Sequence, residues 1–249
     1  MVEDKYVDIH CHIDYYDDKK IPNILSECHK KDVLIVSNGT TVNSNRKLLK
    51  ILNQNSTLSI CMGLYPIECL KLKDKDIDEE ISFIRQNCDK LFGIGEVGID
   101  LREGSDFLLQ KKNLEKFISL SEEIDKPIII HSRKSELQTI EILEYFRIKK
   151  VIMHCFSGKM NLVKRIIKND WYLSVPSIVV FSEHFQNIVR LAPIERLFCE
   201  TDSPFLDPDR AGENYPCKVI KAYEKIAELK GVSVDKVKSL IFANYLSLR

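Results

Sequence analysis

Eight short apolar runs divide the chain from end to end, and each is followed by a stretch with helical spacing. The runs are Tyr6–His10, Val33–Val36, Leu58–Met62, Leu91–Gly95, Pro127–Ile130, Val151–Met153, Tyr172–Val175 and Leu197–Cys199. They are apolar on successive rather than alternate residues, so each strand is expected to be covered on both faces. Parallel strands joined by helices meet that demand. Eight such units in 249 residues predict a single domain, residues 1–249, folded as a (β/α)₈ TIM barrel. A doubly wound open sheet is the other α/β arrangement. No Gly-rich phosphate loop follows the first strand, which counts against its dinucleotide-binding form.

Composition narrows the function. Formal net charge is zero, whereas a protein gripping long duplex through many phosphates is expected to be basic. A nucleic-acid partner would therefore be held over a short length. The apolar runs fall far short of a membrane span, and Glu3, Asp4 and Lys5 precede the first of them, unlike a secretory signal. The expected location is cytoplasmic, with no membrane partner. The eight cysteines include no Cys-x-x-Cys pair, and Cys11, Cys61, Cys155 and Cys199 lie in or beside strand-like runs. Buried, reduced thiols are expected. Trp171 reads as core.

The chemistry lies at the strand ends. A barrel of this kind carries its active site at the C-terminal ends of its strands. There the first strand offers His10 and His12, two residues apart and hence on one side of a strand. The fourth offers Glu96, the fifth His131, the sixth His154, and the eighth Asp202 with Glu200 two residues before it. Four of the six histidines thus fall at strand ends; His29 and His184 fall on helical patterns and are expected at the surface. Imidazoles and carboxylates converging on one point make a divalent-metal site. Four imidazoles and two carboxylates exceed what one catalytic zinc ion needs. They suit two ions with a bridging carboxylate, for which Glu96 is central, and Zn²⁺, Mn²⁺ or Mg²⁺ would each accept this donor set. Two such ions can acidify a water and stabilise in-line displacement at phosphorus, with Asp202 as ligand, proton acceptor or both.

Several other residues are candidates for holding substrate. Arg133 follows a candidate ligand and can clamp a phosphate or form an ordinary ion pair. Ser157-Gly158 is expected to open a helix whose N–H groups face the cleft, either as a phosphate seat or as a plain N-cap. Glu200 can orient a ligand or a water.

The runs Asp8-Ile9-His10-Cys11-His12-Ile13-Asp14, Gly95-Glu96-Val97-Gly98-Ile99-Asp100, His131-Ser132-Arg133, His154-Cys155-Phe156-Ser157-Gly158 and Glu200-Thr201-Asp202-Ser203-Pro204 together resemble the TatD family of metal-dependent deoxyribonucleases. The resemblance spans essentially the whole chain. It implies an amidohydrolase-type barrel, a divalent-metal site and phosphodiester hydrolysis. It also implies His10, His12, Glu96, His131, His154 and Asp202 as metal ligands, with Glu96 and Asp202 catalytic. Tyr65-Pro66 stands where many relatives place a His before Pro, so Tyr65 takes that substrate-binding position and can donate a hydrogen bond. The loop 207–216 keeps the polar character of the family's loop but not its pattern.

The expectation is an exonuclease acting on single-stranded or end-bound DNA, as a monomer or weak oligomer. The competing reading is an amide, lactone or aminoacyl-ester hydrolase on the same barrel. Many amidohydrolase barrels bridge their metals with a lysine after the fourth strand. Glu96 fills that place here and favours the nuclease. A non-catalytic metal-binding scaffold is the third reading, and the number of candidate ligands weighs against it.

Overall fold

All eight apolar runs become strands of one parallel sheet, and their order in space is their order in the chain. The structure, a computed structural model, describes residues 3–52 and 58–249. The strands are β1 (Tyr6–Cys11), β2 (Val33–Asn38), β3 (Leu58–Met62), β4 (Gly93–Asp100), β5 (Ile128–Arg133), β6 (Val151–Met153), β7 (Tyr172–Pro176) and β8 (Leu197–Glu200). The helices are α1 (Ile21–Lys30), α2 (Val42–Leu52), α3 (Pro66–Cys69), α4 (Asp74–Gln86), α5 (Phe107–Glu123), α6 (Glu136–Phe146), α7 (Met160–Lys168), α8 (Glu183–Leu191), α9 (Ile220–Lys230) and α10 (Val234–Leu248). Short 3₁₀ turns occupy several of the connections. The result is the expected (β/α)₈ barrel. Across the seam between β8 and β1, Asp202 N donates to His10 O at 2.9 Å and His12 N to Ser203 O at 2.8 Å.

Each helix shows the sheet an apolar stripe. In α7, Leu162, Val163 and Ile166 are buried while Lys164 and Lys168 face water, the i, i+1, i+4 spacing of one helical face. Removing the Ile166 side chain beyond Cβ would cost about 2–5 kcal/mol, because this wholly buried site has no solvent to fill it. Trp171 is buried and donates to Ile148 O at 2.8 Å. Asn244 ties α10 to the base of β8, donating to Ile194 O and Leu197 O. All eight cysteines carry free thiols. Among the described residues, no helix is long and apolar enough to cross a membrane.

Six strands run further than their apolar runs. β1 reaches Cys11, β2 Asn38, β4 Asp100, β5 Arg133, β7 Pro176 and β8 Glu200. Hydrophobicity stops marking a strand at its first polar residue, but the hydrogen-bond ladder continues into the polar floor of the barrel mouth. The extension of β4 matters most. It places Glu96 within a fully buried strand, not in the loop beyond one.

Candidate metal centre

Both strands that carry the central candidate ligands break register at those residues. The ladder of β1 against β2 slips between Asp8 and Cys11, around His10. That of β4 against β5 slips between Ile94 and Val97, around Glu96. An extra residue in a ladder re-aims a side chain, which is why such slips recur beside active sites. Glycines make the second slip possible. Gly98 has φ +152°, and a Cβ there would lie 1.9 Å from the backbone oxygen of His131. Only glycine lets β4 approach β5 this closely. Asp202 itself has φ +54°. Asp tolerates this left-handed conformation better than most residues, and here the carboxylate lies beside His10 and His12.

The side chains meet in two pockets. In the first, Nε2 of His10 and Nε2 of His12 lie 3.2 Å apart. Glu96 Oε2 is 3.5 Å from each, and Asp202 Oδ1 is 3.5 Å from His10 and 3.4 Å from His12. A tetrahedral ion with bonds of about 2.0–2.1 Å has ligand–ligand edges of roughly 3.3–3.4 Å, so His10, His12 and Asp202 are spaced to hold one divalent ion, with Glu96 Oε2 beside both imidazoles. In the second pocket, Glu96 Oε1 is 2.8 Å from His131 Nδ1 and 3.9 Å from His154 Nε2. Asp202 Oδ1 is also 4.0 Å from His154 Nε2. The two oxygens of Glu96 therefore face different histidine pairs. His10 and His154 stack between the pockets, ring centroids 3.6 Å apart.

Outer partners aim three of the four imidazoles. His12 Nδ1 is 2.9 Å from Asn38 O, His131 Nε2 is 3.1 Å from Asp100 Oδ2, and His154 Nδ1 is 2.8 Å from Glu200 Oε2. Each of these leaves the other ring nitrogen facing the cluster. Among the described residues, His10 Nδ1 is buried without a hydrogen-bond partner. Beneath them, Asp8 accepts from Thr201 N at 2.9 Å and Thr201 Oγ1 at 2.5 Å, which pins the approach to Asp202.

The electrostatics follow from burial and pairing. Burial pushes the Glu96 carboxyl up, but hydrogen bonds and charge from His10 and His131 outweigh it and hold it well below its ordinary value. Asp202 is lowered in the same way: burial opposes, His12, His154 and His10 prevail. Burial depresses His12, yet the Asp202 hydrogen bond and the Glu96 charge push it up to about 9. His154 is likewise depressed by burial but raised to about 10 by Glu200 and Asp202. His10 is lowered, by burial and then by His154. Protons thus hold the carboxylates together where divalent ions can replace them.

The six expected ligands converge. The four expected substrate contacts do not all reach the cleft. Tyr65 does: its hydroxyl donates to Asp100 Oδ2 at 2.6 Å and lies 3.5 Å from His131 Nε2. Arg133 is held in an ion pair, donating to Asp100 at 2.8 Å and to Glu103. Glu200 is fully buried behind His154, where it holds the imidazole at Nδ1 and also accepts from Ser174. Ser157 does not open a helix. Helix α7 starts at Met160, and exposed Ser157 donates to Glu136 at 3.0 Å. His184 is half-buried rather than superficial and donates to Phe156 O at 3.0 Å. The residue that sequence reasoning passed over is Asp100. Its place two residues after Gly98 on the same strand was the available signal. It accepts from Tyr65, Arg133 and the backbone N–H groups of Arg102 and Glu103.

Residues 7–248 match the family model described as TatD related DNase. An uncharacterized metal-dependent hydrolase of Methanocaldococcus jannaschii is 34% identical over 98% of this chain and 96% of its own length. Human deoxyribonuclease TATDN3 is 28% identical over 97% of this chain and 93% of its own. In the fold comparison, the crystal structure of YJJV, a TatD homologue from Escherichia coli K12, superimposes with a TM-score of 0.89. It is 22% identical, with 98% of this chain and 97% of that one covered.

Proposed function

This chain belongs to the TatD related DNase family and is a metal-dependent hydrolase acting on ester bonds, and from that premise we propose that it hydrolyses phosphodiester bonds of DNA from strand ends through two divalent ions. The observation that carries the reading is the division of Glu96, whose Oε2 faces His10 and His12 while its Oε1 faces His131 and His154. One carboxylate serving two imidazole pairs is the arrangement of a bridging ligand.

When bound, the ions supply Lewis acidity and acidify a water. The protein's own groups do the rest. Glu96 keeps the two pockets at a fixed separation, since both its oxygens are engaged. Asp202 is the more open carboxylate, its side chain 17% exposed against 5% for Glu96, so it can meet incoming water and accept a proton. The outer partners Asn38, Asp100 and Glu200 fix the imidazole orientations before substrate arrives, which removes that reorganisation from the reaction. Tyr65, at the cleft edge, is placed to donate to a phosphate oxygen once it leaves Asp100. Neutral overall charge suits a grip on a strand end better than tracking along duplex.

The test is hydrolysis of an end-labelled single-stranded oligonucleotide by metal-stripped protein, with Mg²⁺, Mn²⁺ or Zn²⁺ added back. Metal-dependent laddering from one end is expected, lost in Asp202→Asn. Absence of cleavage, in protein that binds about two ions, would overturn the phosphodiester reading and point to a carbonyl ester or amide.

A further inference from the structure

Two large aromatic side chains stand open to solvent against the metal centre. Tyr15 is 47% exposed and Phe205 is 51% exposed. Tyr15 ends the 3₁₀ turn Ile13–Tyr15 that leaves β1, and Phe205 lies in the turn that leaves β8. Tyr15 stacks on the ring of His12, centroids 5.0 Å apart at 25°. Phe205 meets His12 at 6.3 Å and Tyr15 at 5.9 Å, the last pair at 90°. The two rings form a right-angled corner whose base is a candidate metal ligand.

The corner is held open from beneath. The Tyr15 hydroxyl lies 2.8 Å from Thr40 Oγ1, and Phe205 N donates to Asp202 O at 2.9 Å. Each ring is thereby fixed to a loop that also carries a site residue. Exposed apolar surface beside a catalytic cleft marks a binding surface. Its chemistry is that of a flat, π-faced ligand, which can stack on one ring while presenting its edge to the other. Lys47, which reaches this loop, is already committed, donating to Asp14 O and Tyr16 O. Stacking, more than charge, is what this part of the cleft offers.

We infer that Tyr15 and Phe205 form a stacking corner for the unpaired nucleobase next to the scissile phosphate. The inference rests on the phosphodiesterase reading above. Every base has a π-face, so the corner accepts all of them. A base inside a duplex has both faces covered by its neighbours, so the corner selects unpaired strand ends.

The test uses metal-loaded protein and an oligonucleotide whose terminal nucleotide carries 2-aminopurine, with a phosphorothioate linkage to slow cleavage. Stacking quenches the probe. Quenching is expected with the wild type and Phe205→Trp, and its loss with Phe205→Leu and Tyr15→Leu. In kinetics on the unmodified strand, Phe205→Leu should raise KM about tenfold with little change in kcat. An abasic terminal nucleotide should raise the wild-type KM similarly and add nothing further in Phe205→Leu. Equal quenching by all proteins, or independent effects of ring and base, would overturn the corner. The two readings separate cleanly. Wild type that cleaves DNA without ring-dependent quenching keeps the phosphodiesterase and loses the corner; wild type that quenches through the rings but cleaves no DNA does the reverse.

Discussion

The two pockets of the metal centre share Glu96 but are backed differently. In the first, the outer nitrogen of His12 meets a backbone carbonyl, and that of His10 has no hydrogen-bond partner among the described residues. In the second, His131 and His154 are backed by the carboxylates of Asp100 and Glu200. A carboxylate behind an imidazole makes it a stronger donor and fixes its orientation more firmly than a carbonyl does. The first pocket therefore depends on its close-set inner atoms, and the second on its outer support. Substitutions should tell them apart.

The largest effect is expected where the pockets join. Glu96→Gln removes the shared charge from both. Turnover should fall roughly a thousandfold or more, since several kcal/mol of stabilisation depend on the ions and each ~1.4 kcal/mol is tenfold. Isothermal titration should show weakened binding of both ions. If one ion still binds with wild-type affinity, Glu96 belongs to one pocket only.

Next is Gly98→Ala. Its Cβ would collide with the His131 backbone, so β4 and β5 must separate at the second pocket. The expected result is a loss of about 2 kcal/mol or more in unfolding free energy and a drop from two bound ions to one. Asp100→Asn and Glu200→Gln act more gently, costing about 10–100-fold in affinity for the second ion alone. Equal weakening of both ions in these variants would erase the distinction between the pockets.

A pH series sharpens the contrast further. In metal-free protein His12 sits near pKa about 9 and His154 near about 10. Their protons stabilise the fold fully below about pH 6.5, the ordinary histidine value, and that contribution fades as pH rises through 9 and 10. Ions need the deprotonated nitrogens. The rise in Tm on adding Zn²⁺ should therefore grow from pH 6 to pH 9; a shift independent of pH would contradict these proton positions. The smallest effect is expected at Ser157, whose side chain donates to Glu136 at the surface. Ser157→Ala should change kcat/KM less than about twofold, within the range of ordinary surface changes.

The barrel was legible because eight apolar runs are a local property of the chain. So were His10 and His12, since their spacing alone puts them on one side of β1. The central position of Glu96 was legible only as the middle of a list. The register slip that aims it depends on Gly98 passing the His131 backbone, which is a contact between strands. Asp100 was missed for the same reason: its partners come from two other parts of the chain, Tyr65 from the loop after β3 and His131 and Arg133 from β5. Those partners also explain why Arg133 is an ion pair here. Ser157 was misplaced because α7 begins at Met160, two residues after the Gly158 expected to open it.

The central claim is that Glu96 bridges two ions. Anomalous diffraction from crystals of Mn²⁺-loaded protein tests it most directly. The account expects two peaks about 3.5–4 Å apart, one beside His10 and His12, the other beside His131 and His154, with one Glu96 oxygen at each. A single peak, or two peaks with both Glu96 oxygens on the same ion, would contradict it.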